Sequence, residues 1–410
     1  MLPSDVLEGG EQAFKRKAGR LLFIGLPVTK LDRHWRELLS EVRPGGVILF
    51  GRNVESAAQV ALLNAQIRDA VGGPVLIGID QEGGLVDRFR DICEPMPSAQ
   101  SVRNAGRSDL AERFGQLTAR ALLLLGFNMN FAPVLDLGGG NEDNGLRART
   151  FGDNPGAVSR LAGAYLDGLQ GAGIVGCGKH FPGLGGSTVD SHRRLPVITH
   201  TWEEIFERDL VPFMDLMMHR PGAHLHSVMI SHAAFPDISE FLQAWFRRTD
   251  DPPTIDGLHE FPATISGNVV MRLLRHILKF DGLVITDDME MGAVVQTLSV
   301  AEASLRAIEA GSDMVLICER EANFVAARDR LVAAVTEKRL SVRALNAAGR
   351  RIDNALAVAR EPEAFDEDEF QIVSRELAEL KSALKAAEDE GEYTPLYGTE
   401  DGAERRSSNF

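Results

Sequence analysis

Eight short apolar runs constrain the fold of this chain more than any other feature. They are RLLFIGLP near residue 20, GGVILFG near 46, PVLIGID near 74, FNMNFAPV near 127, GIVGCGKH near 173, HSVMISH near 226, DGLVITDD near 281 and SDMVLIC near 312. Each is too continuous for a strand with one wet face, as expected of strands covered on both faces. Between them lie segments with apolar residues at helical spacing, at 57–71, 110–126, 159–173 and 301–312, ending in or near Gly. Alternating strands and helices predict an α/β fold, a single parallel (β/α)8 barrel. A doubly wound open sheet is the alternative, but no G-x-G-x-x-G follows the first strand to support a dinucleotide site.

The 410 residues suffice for one such barrel and an extension. We expect a catalytic barrel over 1–360 and an acidic tail over 361–410. The net charge is −15, and the tail alone holds fifteen acids against five bases. Nucleic acid is an unfavourable partner for such a chain. In the tail, Phe370, Val373, Leu377, Leu380 and Leu384 form a helical stripe, predicting one amphipathic helix at about 369–390. The stripe suits docking on the chain's own barrel, giving a monomer, or pairing with a second copy, giving a homodimer. Segment 235–262 has Pro at several points and reads as an excursion on the barrel rim with one short helix.

Three cysteines, none in a C-x-x-C pair, argue against a disulfide framework or a zinc-thiolate site. Cys177 reads as core, and Cys93 and Cys318 as inert. The N-terminus has no apolar stretch of signal-peptide length, and no run approaches the roughly 18 apolar residues of a membrane span. The expectation is a cytoplasmic protein without a membrane span.

Active sites of (β/α)8 barrels lie at the C-terminal ends of the strands. There the third run ends in Asp80, the fourth in Asp136, the fifth in Lys179 and His180, the sixth in His232, and the seventh in Asp287 and Asp288. Paired acids suit proton or glycosyl transfer. If the backbone stays extended at Asp287 and Asp288, their side chains diverge and only one is central. Asp190 and His192, two apart on a Gly-rich loop, can form a pair in which the carboxylate holds one ring nitrogen and frees the other for proton transfer. The glycines give that loop the freedom of a lid. His219, His224 and His226 fall at the wrong end of the sixth strand for catalysis.

These residues carry a resemblance. KHFPGLGGSTVDSH (179–192) resembles the K-H-F-P-G-[HD]-G-x4-D-S-H signature of glycoside hydrolase family 3, in its β-N-acetylhexosaminidase branch. IGIDQEGGLVDRF (77–89), NFAPVLDL (130–137), RTFGDNP (149–155), PATIS (262–266) and FDGLVITDDMEM (280–291) match in the same order. The resemblance covers roughly 20–355. It implies a retaining exo-β-N-acetylhexosaminidase that releases N-acetylglucosamine from β-linked glycosides, with cell-wall muropeptides as the substrate of family members in peptidoglycan recycling. It implies Asp287 as nucleophile, forming a covalent glycosyl-enzyme, His192 as general acid/base and Asp190 orienting it. Asp80, Arg88, Arg149, Lys179 and His180 would bind the sugar, with no cofactor and no metal.

Two positions depart from the pattern: Leu184, where the signature has His or Asp, and Leu85, where E-G-G-R-V has Arg. Leu184 would pack the loop down or meet an apolar part of the aglycone. A β-N-acetylglucosaminide phosphorylase or a β-glucosidase of the same family is the alternative enzyme, since an imidazole acid/base does not repel incoming phosphate. A catalytically silent sugar-binding barrel and a barrel metallohydrolase using His180, Asp190, His192, His232 and Asp287 are readings of other classes.

Overall fold

The computed structural model describes residues 4–138, 145–187, 195–218, 225–246 and 261–390. Every apolar run yields a strand: β1 (Leu22–Gly25), β2 (Gly46–Leu49), β3 (Leu76–Ile79), β4 (Met129–Asn130), β5 (Val175–Phe181), β6 (Ser227–Ile230), β7 (Leu283–Asp288) and β8 (Met314–Ile317). Each pairs in parallel with the next, and Leu22 to Ile24 of β1 register with Val315 to Ile317 of β8. The sheet therefore closes, and the open-sheet alternative falls. All strand residues are buried except Asp287 and Asp288, because the barrel interior covers one face and the helices the other.

The four predicted helices form over Ala57–Val71, Ser108–Leu124, Pro155–Gly171 and Val300–Ala310. Their ends follow local chemistry. Ser56 and Gln59 cap the first reciprocally, and Gly72 ends it at φ 65°. Asn154 caps the third, with Pro155 in its first turn. Helices Ser108–Leu124 and Pro155–Gly171 touch backbone to backbone. A Cβ on Gly115 would sit 2.0 Å from the Tyr165 carbonyl oxygen, and one on Gly168 would sit 2.1 Å from that of Glu112.

The tail helix spans Glu367–Asp389 and buries Phe370, Val373, Leu377, Leu380, Leu384 and Ala387. It lies on helices Ala99–Ala105 and Ser108–Leu124 of its own chain. Arg120 pairs with Glu369 and, at 2.7 Å, with Glu376, which also pairs with Arg113. The apolar stripe is thus covered within the chain, the first of its two readings. On the rim, Pro236–Phe246 is helical, and Phe241 stacks on Trp202 with centroids 4.3 Å apart. Among the described residues no helix is long and apolar enough to cross a membrane.

Candidate active site

The strand ends bring charged groups together at one end of the barrel. Chain leaving β3 presents Asp80, Gln81 and Glu82 in succession. Lys179, on β5, sends its ammonium group back to them, 2.7 Å from Asp80 Oδ1 and 2.6 Å from Glu82 Oε1. Arg149 grips Glu82 from the other side with two parallel bonds of 2.8 Å. Glu82 and Lys179 are buried. Burial opposes the Glu82 charge, but Arg149 and Lys179 outweigh it and hold the carboxyl well below its usual range. Burial likewise opposes the Lys179 charge, and Asp80 and Glu82 reverse the balance so that its pKa rises.

Arg88 sits beside this network, 3.9 Å from Asp80 Oδ2. Its backbone N–H donates to Gln81 Oε1 at 2.8 Å. Its Nε is buried and has no acceptor among the described residues. Buried donors of this kind are rare and mark strain, an ordered water or a ligand position. The loop is tightly built. Asp87 accepts from Gln81 Nε2 at 2.7 Å, Phe89 N at 3.0 Å and Met96 N at 2.8 Å. Gly83 and Gly84 turn at φ 86° and 57°, and the returning chain fills the space a side chain would need: Pro97 O lies 2.1 Å from a Cβ built on Gly83.

His180 is held by Asp136, whose carboxylate lies 2.6 Å from Nδ1 and accepts the His180 and Leu184 backbone N–H groups at 3.2 and 2.7 Å. That partnership presents Nε2 as the free edge of the ring. Asp136 does not sit at a strand end as expected. β4 stops at Asn130, and an irregular extension carries the chain past β5, with Leu135 N bonded to Lys179 O. Leu184 is buried in the apolar core, so of its two readings the packing one holds. Leu85 is 57% exposed, at the tip of the β3 turn.

Asp287 and Asp288 end β7. Asp288 N–H donates to Asp287 Oδ1 at 2.8 Å. The Asp288 carboxyl turns toward β8, bonded to the Cys318 thiol and to the Glu290 N–H. Burial first, then the charges of Asp287 and Glu290, pushes it up to about 7. Asp287 ends the same strand, at the end of the barrel where Asp80 and Lys179 also lie, with its Oδ1 turned back to the Asp288 N–H. The two acids thus have different partners. His232 bridges Thr264 Oγ1 at 2.6 Å and the Asp288 carbonyl at 2.8 Å, a supporting position under β7. Cys177 is buried, and burial pushes its thiol up to about 12.

Asp80, Arg88, Arg149, Lys179, His180 and Asp287 thus gather at one mouth, while Asp190 and His192 lie outside the described residues, as do His219 and His224. Sequence reasoning missed Glu82, and it placed Asp136 at a strand end without giving it a role. Glu82 stands within the DQEGG motif and was the readable signal. Among the described residues no group of three His, Cys, Asp or Glu is arranged to hold a metal.

A closed parallel barrel with this mouth of carboxylates, Lys and Arg is a barrel enzyme of the glycoside hydrolase class. The chain belongs to glycosyl hydrolase family 3, whose N-terminal domain model matches residues 13–355. It is 36% identical over 313 residues to a β-hexosaminidase of Tolumonas auensis, covering 76% of this chain and 86% of the relative. It is 34% identical to a β-hexosaminidase of Pseudomonas aeruginosa, covering 74% and 83%. Among solved structures it resembles a family 3 β-N-acetylglucosaminidase from Paenibacillus sp. (TM-score 0.76, 32% identity, 90% of this chain and 68% of that one). It also resembles native NagZ from Neisseria gonorrhoeae (TM-score 0.70, 26% identity, 90% and 97%).

Proposed function

We propose that the chain is a retaining exo-β-N-acetylglucosaminidase acting on β-linked N-acetylglucosaminides, with muropeptides of a recycled cell wall as substrate and the cytoplasm as its place of work. The carrying observation is the charged mouth itself, where Glu82 and Lys179 are buried while Asp80 and Arg88 keep 17% and 29% of their side chains exposed. A polar sugar can reach those exposed atoms.

Asp80 accepts from sugar hydroxyls, and Arg88, Arg149, Lys179 and His180 donate to hydroxyls and to the acetamido carbonyl. Asp287 attacks the anomeric carbon and the bond to the aglycone oxygen breaks. His192, oriented by Asp190, gives that oxygen a proton. Water then gives its proton to His192 and attacks the anomeric carbon, breaking its bond to the Asp287 carboxylate. Free N-acetylglucosamine leaves with its β configuration restored.

The test is turnover of nitrophenyl β-N-acetylglucosaminide by wild type, Asp287→Ala and His192→Ala, with nitrophenyl β-glucoside as the competing substrate. Both variants should lose at least about 100-fold in kcat. A wild-type rate in Asp287→Ala would sink the assignment, and faster cleavage of the glucoside would move the enzyme to another specificity. Products formed with and without phosphate separate hydrolysis, the expected outcome, from phosphorolysis.

A further inference from the structure

The tail helix begins twelve residues after the family match ends at 355. It does not cover bare barrel. It covers the outgoing leg of the loop that bears Asp80, Glu82 and Arg88. Glu94 N–H on that leg donates to Ser374 Oγ of the helix at 2.9 Å, and Lys381 reaches the Glu94 carboxylate at 2.6 Å. The Cys93 thiol bonds to Ser374 as well. Two turns on, Asn104 bonds Glu388 at 2.8 Å, and the short helix Ala99–Ala105 lies under the tail helix.

The same leg presses on the sugar-facing turn from behind. Pro97 O and Ser98 occupy the space beside Gly83 and Gly84. Met96 bonds the Asp87 carboxylate through its N–H, and Gln81 Nε2 lies 3.1 Å from its sulfur. Gln81 in turn holds the Arg88 N–H. A continuous series of contacts thus runs from Ser374 and Lys381, through residues 93–98, to Asp80, Glu82 and Arg88.

We propose that the C-terminal helix is a positioning element of the active site, bracing the β3 loop so that Arg88 and Asp80 hold their sugar-binding geometry. This rests on the sugar-binding role of Arg88 and Asp80 proposed above. The helix touches no reacting atom, so releasing it should weaken substrate binding more than it slows the chemical step.

Cys93 offers a readout independent of activity. It is half-buried against the helix, whereas Cys177 and Cys318 are fully buried. The experiment uses the full chain with Leu377→Ala/Leu380→Ala to loosen the apolar face, and Ser374→Ala/Lys381→Ala as a milder pair should the first fail to fold. Cys93 labelling by a chromogenic disulfide reagent is measured alongside kcat and KM, with Cys93→Ala identifying the labelled thiol. Labelling should quicken at least about tenfold in the first pair, KM should rise about three- to tenfold, and kcat should change less than about twofold. Quicker labelling with unchanged KM overturns the proposal, and so does unchanged labelling. Arg88→Ala separates the two layers: if it leaves KM unchanged, the sugar-binding reading has failed, and if it raises KM while the helix variants do not, the brace alone has failed.

Discussion

Glu82 is charged in a place where a lone charge would be expelled. Two cations from distant parts of the chain keep it there, and it keeps them. Removing one partner of a buried pair leaves the others uncompensated, so Glu82→Ala should cost about 3–5 kcal/mol of unfolding free energy in denaturant titration at pH 7. Glu82→Gln, which keeps the shape, should cost less. The folded-state carboxyl lies below its unfolded value near 4.3, so the Glu82 contribution is present above that pH and is lost as pH falls toward the depressed value. Asp288 has the opposite sign. Its folded carboxyl, at about 7, binds a proton that the unfolded chain has released above about pH 4. Stability therefore declines as pH rises between those limits, by at most about 1.4 kcal/mol per pH unit. Asp288→Asn should flatten that decline, seen as a smaller drop in thermal midpoint between pH 5 and 8 than the wild type shows. Asp80, Lys179 and Asp287 were readable because each follows directly on an apolar run that has to be a strand. The Glu82–Arg149 pairing was not, because the partners lie 67 residues apart and no local pattern announces the meeting.

At the scale of elements, periodicity told what each segment is but not what it touches. The 57–71 and 301–312 patterns became helices with the caps their flanking Ser and Gly residues predict. The tail stripe was visible at the right residues, yet an apolar stripe looks the same whether its cover is a barrel wall or a second copy. Only the placement of Arg113, Arg120 and Glu94 beside it distinguishes the two. Asp136 was misplaced for a related reason. The apolar letters of FNMNFAPV run on after the two-residue ladder of β4 has ended, and hydrophobicity does not record where pairing stops. The contact between helices Ser108–Leu124 and Pro155–Gly171 is equally silent in sequence, since Gly115 and Gly168 resemble ordinary weak points of a helix. Both carbonyl oxygens beside them lie well inside van der Waals contact of any added carbon, so the helices have to move apart to admit one. Gly115→Ala should destabilise by about 1–3 kcal/mol despite Ala being the better helix former, measured by chemical denaturation. A neutral or stabilising result would show that the pair separates freely.

For the whole molecule, the mouth is a joint property of strands that never meet in sequence. Asp80 and Glu82 follow β3, Asp136 follows β4, Lys179 and His180 lie on β5, and Asp287 lies on β7. A sugar held among them ties these strands to one another. Saturating N-acetylglucosamine should therefore slow amide hydrogen exchange in β3, β5 and β7 together and raise the thermal midpoint of the whole chain. At a hundredfold excess over the dissociation constant the gain is about 2.7 kcal/mol. Protection confined to one loop would contradict a shared mouth. The seam where β1 registers with β8 adds a consequence in time. Leu22 waits for Val315, so a nascent chain has no closed ring until nearly three hundred further residues have left the ribosome. Its first strand is made early and finds its last neighbour late. The enzyme's pocket is accordingly among the final things its synthesis completes.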